Sequence, residues 1–134
     1  MNRQQLDKLI VLLMVINHYA KDLHYNCKGD NFYGNHLFAD KLGNFDEQID
    51  LLKEVCLLGH KLEPLKSSIY MAEASKLIPS EINFKKMHEL CLKVLTLIEE
   101  MENLSKGDEN LIGAIAQDVQ QNLGLLNIMF GGNK

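Results

Sequence analysis

Imidazole and carboxylate are the reactive groups that this chain sets at regular intervals. His24 and His36 stand at the two ends of "HYNCKGDNFYGNH". Asp40 follows His36 by four residues, and Asp50 and Glu54 form another pair four apart. On a helix, side chains four apart leave one face about one turn from each other. Neutral imidazole with carboxylate is a donor mixture that suits iron, manganese or zinc. Taken singly, each residue has a plainer reading. A histidine at a helix end stabilises the helix dipole, and Asp46, Asp50 and Glu54 beside Lys53 make an ordinary solvated face.

Other chemistries lack their residues. No glutamate is followed three positions later by histidine, so the Glu-x-x-His centre of in-bundle di-iron proteins is missing. "HELCL" at His88 has Leu92 where a zinc-protease helix has its second histidine. There is no phosphate loop, nucleophile elbow or Cys-x-x-Cys pair. His18 and His60 read as surface residues. Cys27, Cys56 and Cys91 are an odd set with no close pair, unlike a disulfide framework. Cys56 and Cys91 fall on apolar stripes and read as buried, reduced thiols.

Four segments with helical periodicity must position these groups. Their apolar stripes run Leu6, Leu9, Leu13, Ile16, Ala20, Leu23; then Phe38, Leu42, Phe45, Ile49, Leu52, Cys56; then Met87, Leu90, Val94, Leu97, Met101, Leu104; and last Ile112, Ile115, Val119, Leu123, Leu126, Phe130. Each opposite face reads as polar. One such helix cannot hide its stripe alone, whereas four packed together can, which predicts an all-α four-helix bundle. Between the second and third stripes lies a long crossover with its own helical candidate at 66–77, after Pro64 and before Pro79. A long crossover there lets helices two and three run parallel, the ferritin-like topology. Asp108 and Glu109 suit the start of the last helix.

The chain has 134 residues, 46% of them hydrophobic and 24% charged, which predicts one globular domain spanning 1–134. Net charge is −4, and neither tail carries a basic arm, so DNA binding is not expected. The apolar run at 9–16, "LIVLLMVI", is too short for a membrane span of roughly 20 residues. No signal-peptide cleavage pattern follows it. The expectation is a cytoplasmic protein without membrane partners.

With these features in place, the chain resembles the Dps mini-ferritins, the DNA-binding proteins from starved cells. "LHYNCKGDNFYGNHLF" is similar to the family's loop after helix one at His24, Lys28, Gly29, Asn31, Phe32 and His36. Asp40, Asp50 and Glu54 match its helix-two carboxylates, "GHKLEPLKSSIYMAEASKL" resembles its mid-chain helix, and "KGDENL" its turn into the last helix. The resemblance implies a dodecameric homo-oligomeric shell, with two-iron ferroxidase sites at subunit interfaces. His24, His36 and Asp40 would come from one subunit, and Asp50 and Glu54 from its neighbour. Fe(II) would be oxidised by hydrogen peroxide or O2 and stored as ferric mineral, protecting against oxidative stress. The alternative is a ferritin-like structural or binding shell with weak or lost ferroxidase activity. Under the iron-storage reading, Asp108, Glu109 and Asp118 are candidates for an acidic iron-entry pore, against helix-terminus and surface charge roles. The chain departs from the family pattern in three places. Asp40 to Asp50 is one residue short, Tyr25 replaces a tryptophan, and a basic N-terminal extension is missing. One residue is about 100° of helix, so either the His36/Asp40 end shifts or the helix distorts near Gly43 and Asn44.

Overall fold

The computed structural model describes residues 1–131, and among them every regular element is helical. Residues 132–134, part of the C-terminal tail that reads as carrying no basic arm, lie outside the described residues. Helix α1 spans Arg3–Tyr25 and opens with Asn2, whose side chain accepts from the amides of Gln4 and Gln5. Nearly all of Leu9–Ile16 is buried, not only the stripe. A helix apolar on all sides belongs at the centre of a fold, and α1 packs against three later helices and the start of a fourth. The expectation of a polar opposite face fails there for that reason.

The second long helix is broken in two. Helix α2 spans Phe32–Leu42 and α3 begins at Asp46–Leu51. Gly43 sits at the break because an added Cβ would clash with the Ala20 Cβ on α1. Two asparagines replace the lost helical hydrogen bonds. The Asn17 side chain accepts from the Phe45 amide at 3.0 Å and donates to Asp46 Oδ1 at 2.9 Å. Asn122 Nδ2 donates to the Leu42 carbonyl at 3.2 Å. Beyond Leu51 the helix widens into a π turn over Leu52–Leu57, then tightens to a 3₁₀ turn over Leu58–His60. It ends at Lys61, left-handed at φ 62°, where the Leu62 amide reaches back to the Leu57 carbonyl. Residues 43–45 thus form a break between α2 and α3, and a π turn follows α3.

Helix α4 spans Ser67–Leu77 in the crossover and lies on α1. Tyr70 donates to Asp7 Oδ1 at 2.7 Å and accepts from the Leu65 amide, while Arg3 holds the Glu63 carbonyl at 2.7 Å. Helix α5 spans Phe84–Glu99 and α6 spans Lys106–Met129; they pack on each other, α5 against α1 and α6 against the π turn. The third stripe overshoots α5: Met101 and Leu104 leave the helix yet still pack against the core. Phe130, the last residue of the fourth stripe, caps α6 and is exposed. No helix among the described residues is long and apolar enough to cross a membrane.

Candidate metal centre

The loop after α1 folds so that its two histidines face each other across the turn. His24 Nδ1–H donates to the His36 carbonyl at 2.8 Å, and His36 Nδ1–H donates to the His24 carbonyl at 2.6 Å. The rings stack with centroids 3.4 Å apart and 21° between their planes. A carbonyl only accepts, so each Nδ1 must carry a proton, and in the neutral ring Nε2 then has the lone pair. Neither Nε2 has a partner among the described residues. Metal-ligating histidines are held this way, with one ring nitrogen bonded to fix the orientation of the other. His24 lies in the last turn of α1, where a helix leaves its carbonyls unused, whereas the His36 carbonyl lies within α2 and takes the ring N–H as a further donor.

Asp40 takes a supporting place. Its Oδ1 lies 3.3 Å from His24 Nδ1 and 3.3 Å from Lys21 Nζ. It therefore approaches the nitrogen that carries the proton, not the free lone pair. Around the pair stand Tyr25, Phe32, Tyr33 and Leu37, all more than half exposed. Such a cluster of large apolar side chains at one end of a helical chain is unusual for a surface facing only water.

Asp50 and Glu54 are exposed on the far side of the break. Asp50 lines a groove of about 460 Å³ between α1 and α3, together with His18, Asp46, Lys21 and Lys53. Glu54 lies in the π turn and is not part of that groove. Among the described residues of one chain, no three His, Cys, Asp or Glu side chains are assembled as a metal-holding group. His24, His36 and Asp40 come together, and Asp50 and Glu54 do not join them.

No family model, curated protein or solved structure matches this chain.

A second histidine is more engaged than its sequence suggested. His60 is not a free surface residue: its Nε2 lies 2.9 Å from Asp108 Oδ2. Asp108, a candidate for an acidic pore, is turned inward and only 1% exposed, whereas Glu109 and Asp118 remain at the surface. The Cys56 thiol, fully buried, is pushed up to about 12 by burial first and by the charge of Asp108 second. Burial alone pushes Cys91 up to about 12. Both thiols are reduced and buried, as their stripe positions predict. The spacing Cys56-x3-His60 was a visible signal, but its partner Asp108 lies 48 residues beyond His60 and only the packing of α6 on the π turn brings it there.

Proposed function

We propose that the chain is an iron-oxidising, iron-storing mini-ferritin of the Dps type, built as a dodecamer with its two-iron sites at subunit interfaces. The reading rests above all on the reciprocal histidine lock, which orients two imidazoles whose Nε2 atoms have no carboxylate partner among the described residues of their own chain. A second copy, bringing Asp50 and Glu54, would complete a mixed nitrogen and oxygen set of the kind iron takes. The exposed collar of Tyr25, Phe32, Tyr33 and Leu37 would then be covered by that copy. The order of helices, with the short α4 in a crossover between the second and third long helical segments, supports the ferritin-like arrangement.

In this reading iron is the substrate. Two Fe(II) ions each give up one electron, the O–O bond of hydrogen peroxide breaks, and two protons complete two waters. The carboxylates favour Fe(III), and the two imidazoles hold the ions in place without excess negative charge. Asp40 and the two carbonyls keep His24 and His36 in the ligating tautomer. The helix break and π turn favour a second reading, a shell of the same build with weak or lost oxidation. Asp50 precedes the π turn and Glu54 lies within it, so they are not a regular α-helical pair.

Fe(II) oxidation by O2 or peroxide on metal-free protein decides between them, with a His24→Ala/Asp50→Ala variant alongside. Oxidation above the protein-free rate that the variant loses supports the ferroxidase. Equal rates for protein, variant and blank leave the shell alone. Twelve copies of the 15.3 kDa chain come to about 184 kDa, and a clean monomer on gel filtration would sink both readings.

A further inference from the structure

Helix α5 carries a leucine that its core stripe does not use. Met87, Leu90, Val94 and Leu97 are buried, whereas Leu92 falls off that stripe and is 47% exposed. Leu77, the last residue of α4, is 44% exposed. Single exposed leucines are ordinary, but these two stand on one groove between α1, α4 and α5. They line it with Leu12, Leu90 and Leu97, all buried. The groove has a volume of about 410 Å³, within the range of small-ligand sites, and five leucines give it an apolar bed. On α5 its lining runs from position 90 to 100, about 15 Å of helix at 1.5 Å per residue.

The charge along this groove opposes that of the chain. The sequence is net −4, yet the groove brings Lys8 and Lys93 against the single carboxylate of Glu100. Neither lysine has an ion-pair partner among the described residues, whereas Lys21, Lys76 and Lys86 each hold a carboxylate. Lys8 precedes Leu12 by four residues on α1, and Leu90, Lys93 and Leu97 follow at steps of three and four on α5. Each helix therefore offers cationic and apolar groups on one face. A lysine beside apolar surface lays its stem along it and keeps its ammonium in water. Such a lining matches a molecule that is apolar along its length and anionic at one end. We infer that this groove binds a free alkyl carboxylate of medium length, its chain on the leucines and its carboxylate toward Lys8 and Lys93. The Thr96 hydroxyl on the same groove adds a neutral donor. The site is separate from the His24/His36 centre and does not rest on the ferroxidase reading.

Calorimetric titration of the full chain with decanoate, below its micelle concentration, tests this. One molecule per chain should bind saturably, and decyltrimethylammonium, with a matching tail and the opposite charge, at least tenfold more weakly. That comparison needs no variant. Leu77→Ser/Leu92→Ser, two changes at half-exposed positions, should weaken decanoate binding at least tenfold, and Lys8→Gln/Lys93→Gln should erase the preference for the anion. His24→Ala/His36→Ala should bind decanoate as the parent does, which keeps this result apart from the iron assay. No saturable binding, equal binding of the two head groups, or full binding by the leucine variant overturns the inference. Sedimentation with phosphatidylglycerol vesicles without decanoate binding would make the face a membrane contact. A smaller particle on gel filtration for the leucine variant would make it a contact between copies. Either result overturns the assignment to a free ligand.

Discussion

Two histidine sites lie at opposite ends of α1, and they use the same ring in opposite ways. At the C-terminal end, backbone carbonyls take Nδ1 of His24 and His36 and leave Nε2 free. At the other end, a buried carboxylate takes Nε2 of His60. A carbonyl lock orients a ring without adding charge, so the first site leaves its Nε2 atoms outside the lock, and in the proposed reading its carboxylates come from a second copy. The carboxylate lock carries its charge inward, where it must be neutralised on the spot. The first arrangement suits a site shared between copies, and the second suits a site closed within one chain.

The largest effect should come from crossing the two sites in one assay. His24→Ala removes half of the carbonyl lock and is expected to bring Fe(II) oxidation down to the protein-free rate. His60→Ala should change that rate by less than about twofold, since distant, unshared sites act independently. Equal losses in stopped-flow oxidation would mean that the ends are coupled and that the contrast between them fails.

Gly43 supports the carbonyl-locked end from below, because its contact with Ala20 seats the end of α2 and the start of α3 on α1. Gly43→Ala forces the helices apart and should cost about 1–3 kcal/mol, a fall of several degrees in melting temperature. Ala20→Gly in the same chain removes the opposing methyl and should recover much of that loss. Calorimetry of the single and double variants checks it. A Gly43→Ala chain as stable as the parent would show that the close approach is unimportant.

This break marks the limit of what could be read from residue order. The four stripes and the crossover helix follow from spacing, and α4 starts within one residue of its expected place. The Asp40–Asp50 interval, one residue short of the pattern the chain resembles, left open a shift of the His36/Asp40 end or a distortion near Gly43 and Asn44, and a helix break is found at Gly43. Its repair was not legible, because Asn17 and Asn122 come from helices far along the chain and an asparagine on a helix looks like any polar surface residue. The π turn was also hidden, since it preserves the apolar character of Leu52, Cys56 and Leu57 while changing the rotation between them. His24, His36 and Asp40 were gathered by a short loop and could be anticipated together. His60 and Asp108 could not, because only tertiary packing brings them into contact.

Alkaline titration separates the ends by their thiols. The native Cys56 thiol is raised from 9.0 to about 12 by burial and by Asp108, so between those values the folded chain holds a proton that the unfolded chain has lost. Its contribution to stability is therefore fully present below about pH 9 and is lost as pH rises toward 12. The slope is about 1.4 kcal/mol per pH unit for one proton. Cys56→Ala should flatten denaturation midpoints against pH by about that slope. Cys27, near the carbonyl-locked end and only partly buried, is raised by a smaller burial, and Cys27→Ala should flatten them less. Identical slopes for both variants would deny the difference in burial.

The smallest effect belongs to the charge that faces water. Lys21 Nζ and Asp40 Oδ1 are 3.3 Å apart, with side chains 60% and 45% exposed. Holding two mobile side chains in one geometry offsets most of the Coulomb gain, and exposed pairs contribute about 0–1 kcal/mol. Lys21→Met should therefore shift the denaturation midpoint by less than about 0.5 kcal/mol. The same change frees Asp40 Oδ1 to serve His24 Nδ1 alone, so iron oxidation should be kept while its sensitivity to salt falls. A large loss of stability would mean that Lys21 acts through the groove it lines with Asp46 and Asp50. The carbonyl-locked end would then depend on charge as heavily as the carboxylate-locked one.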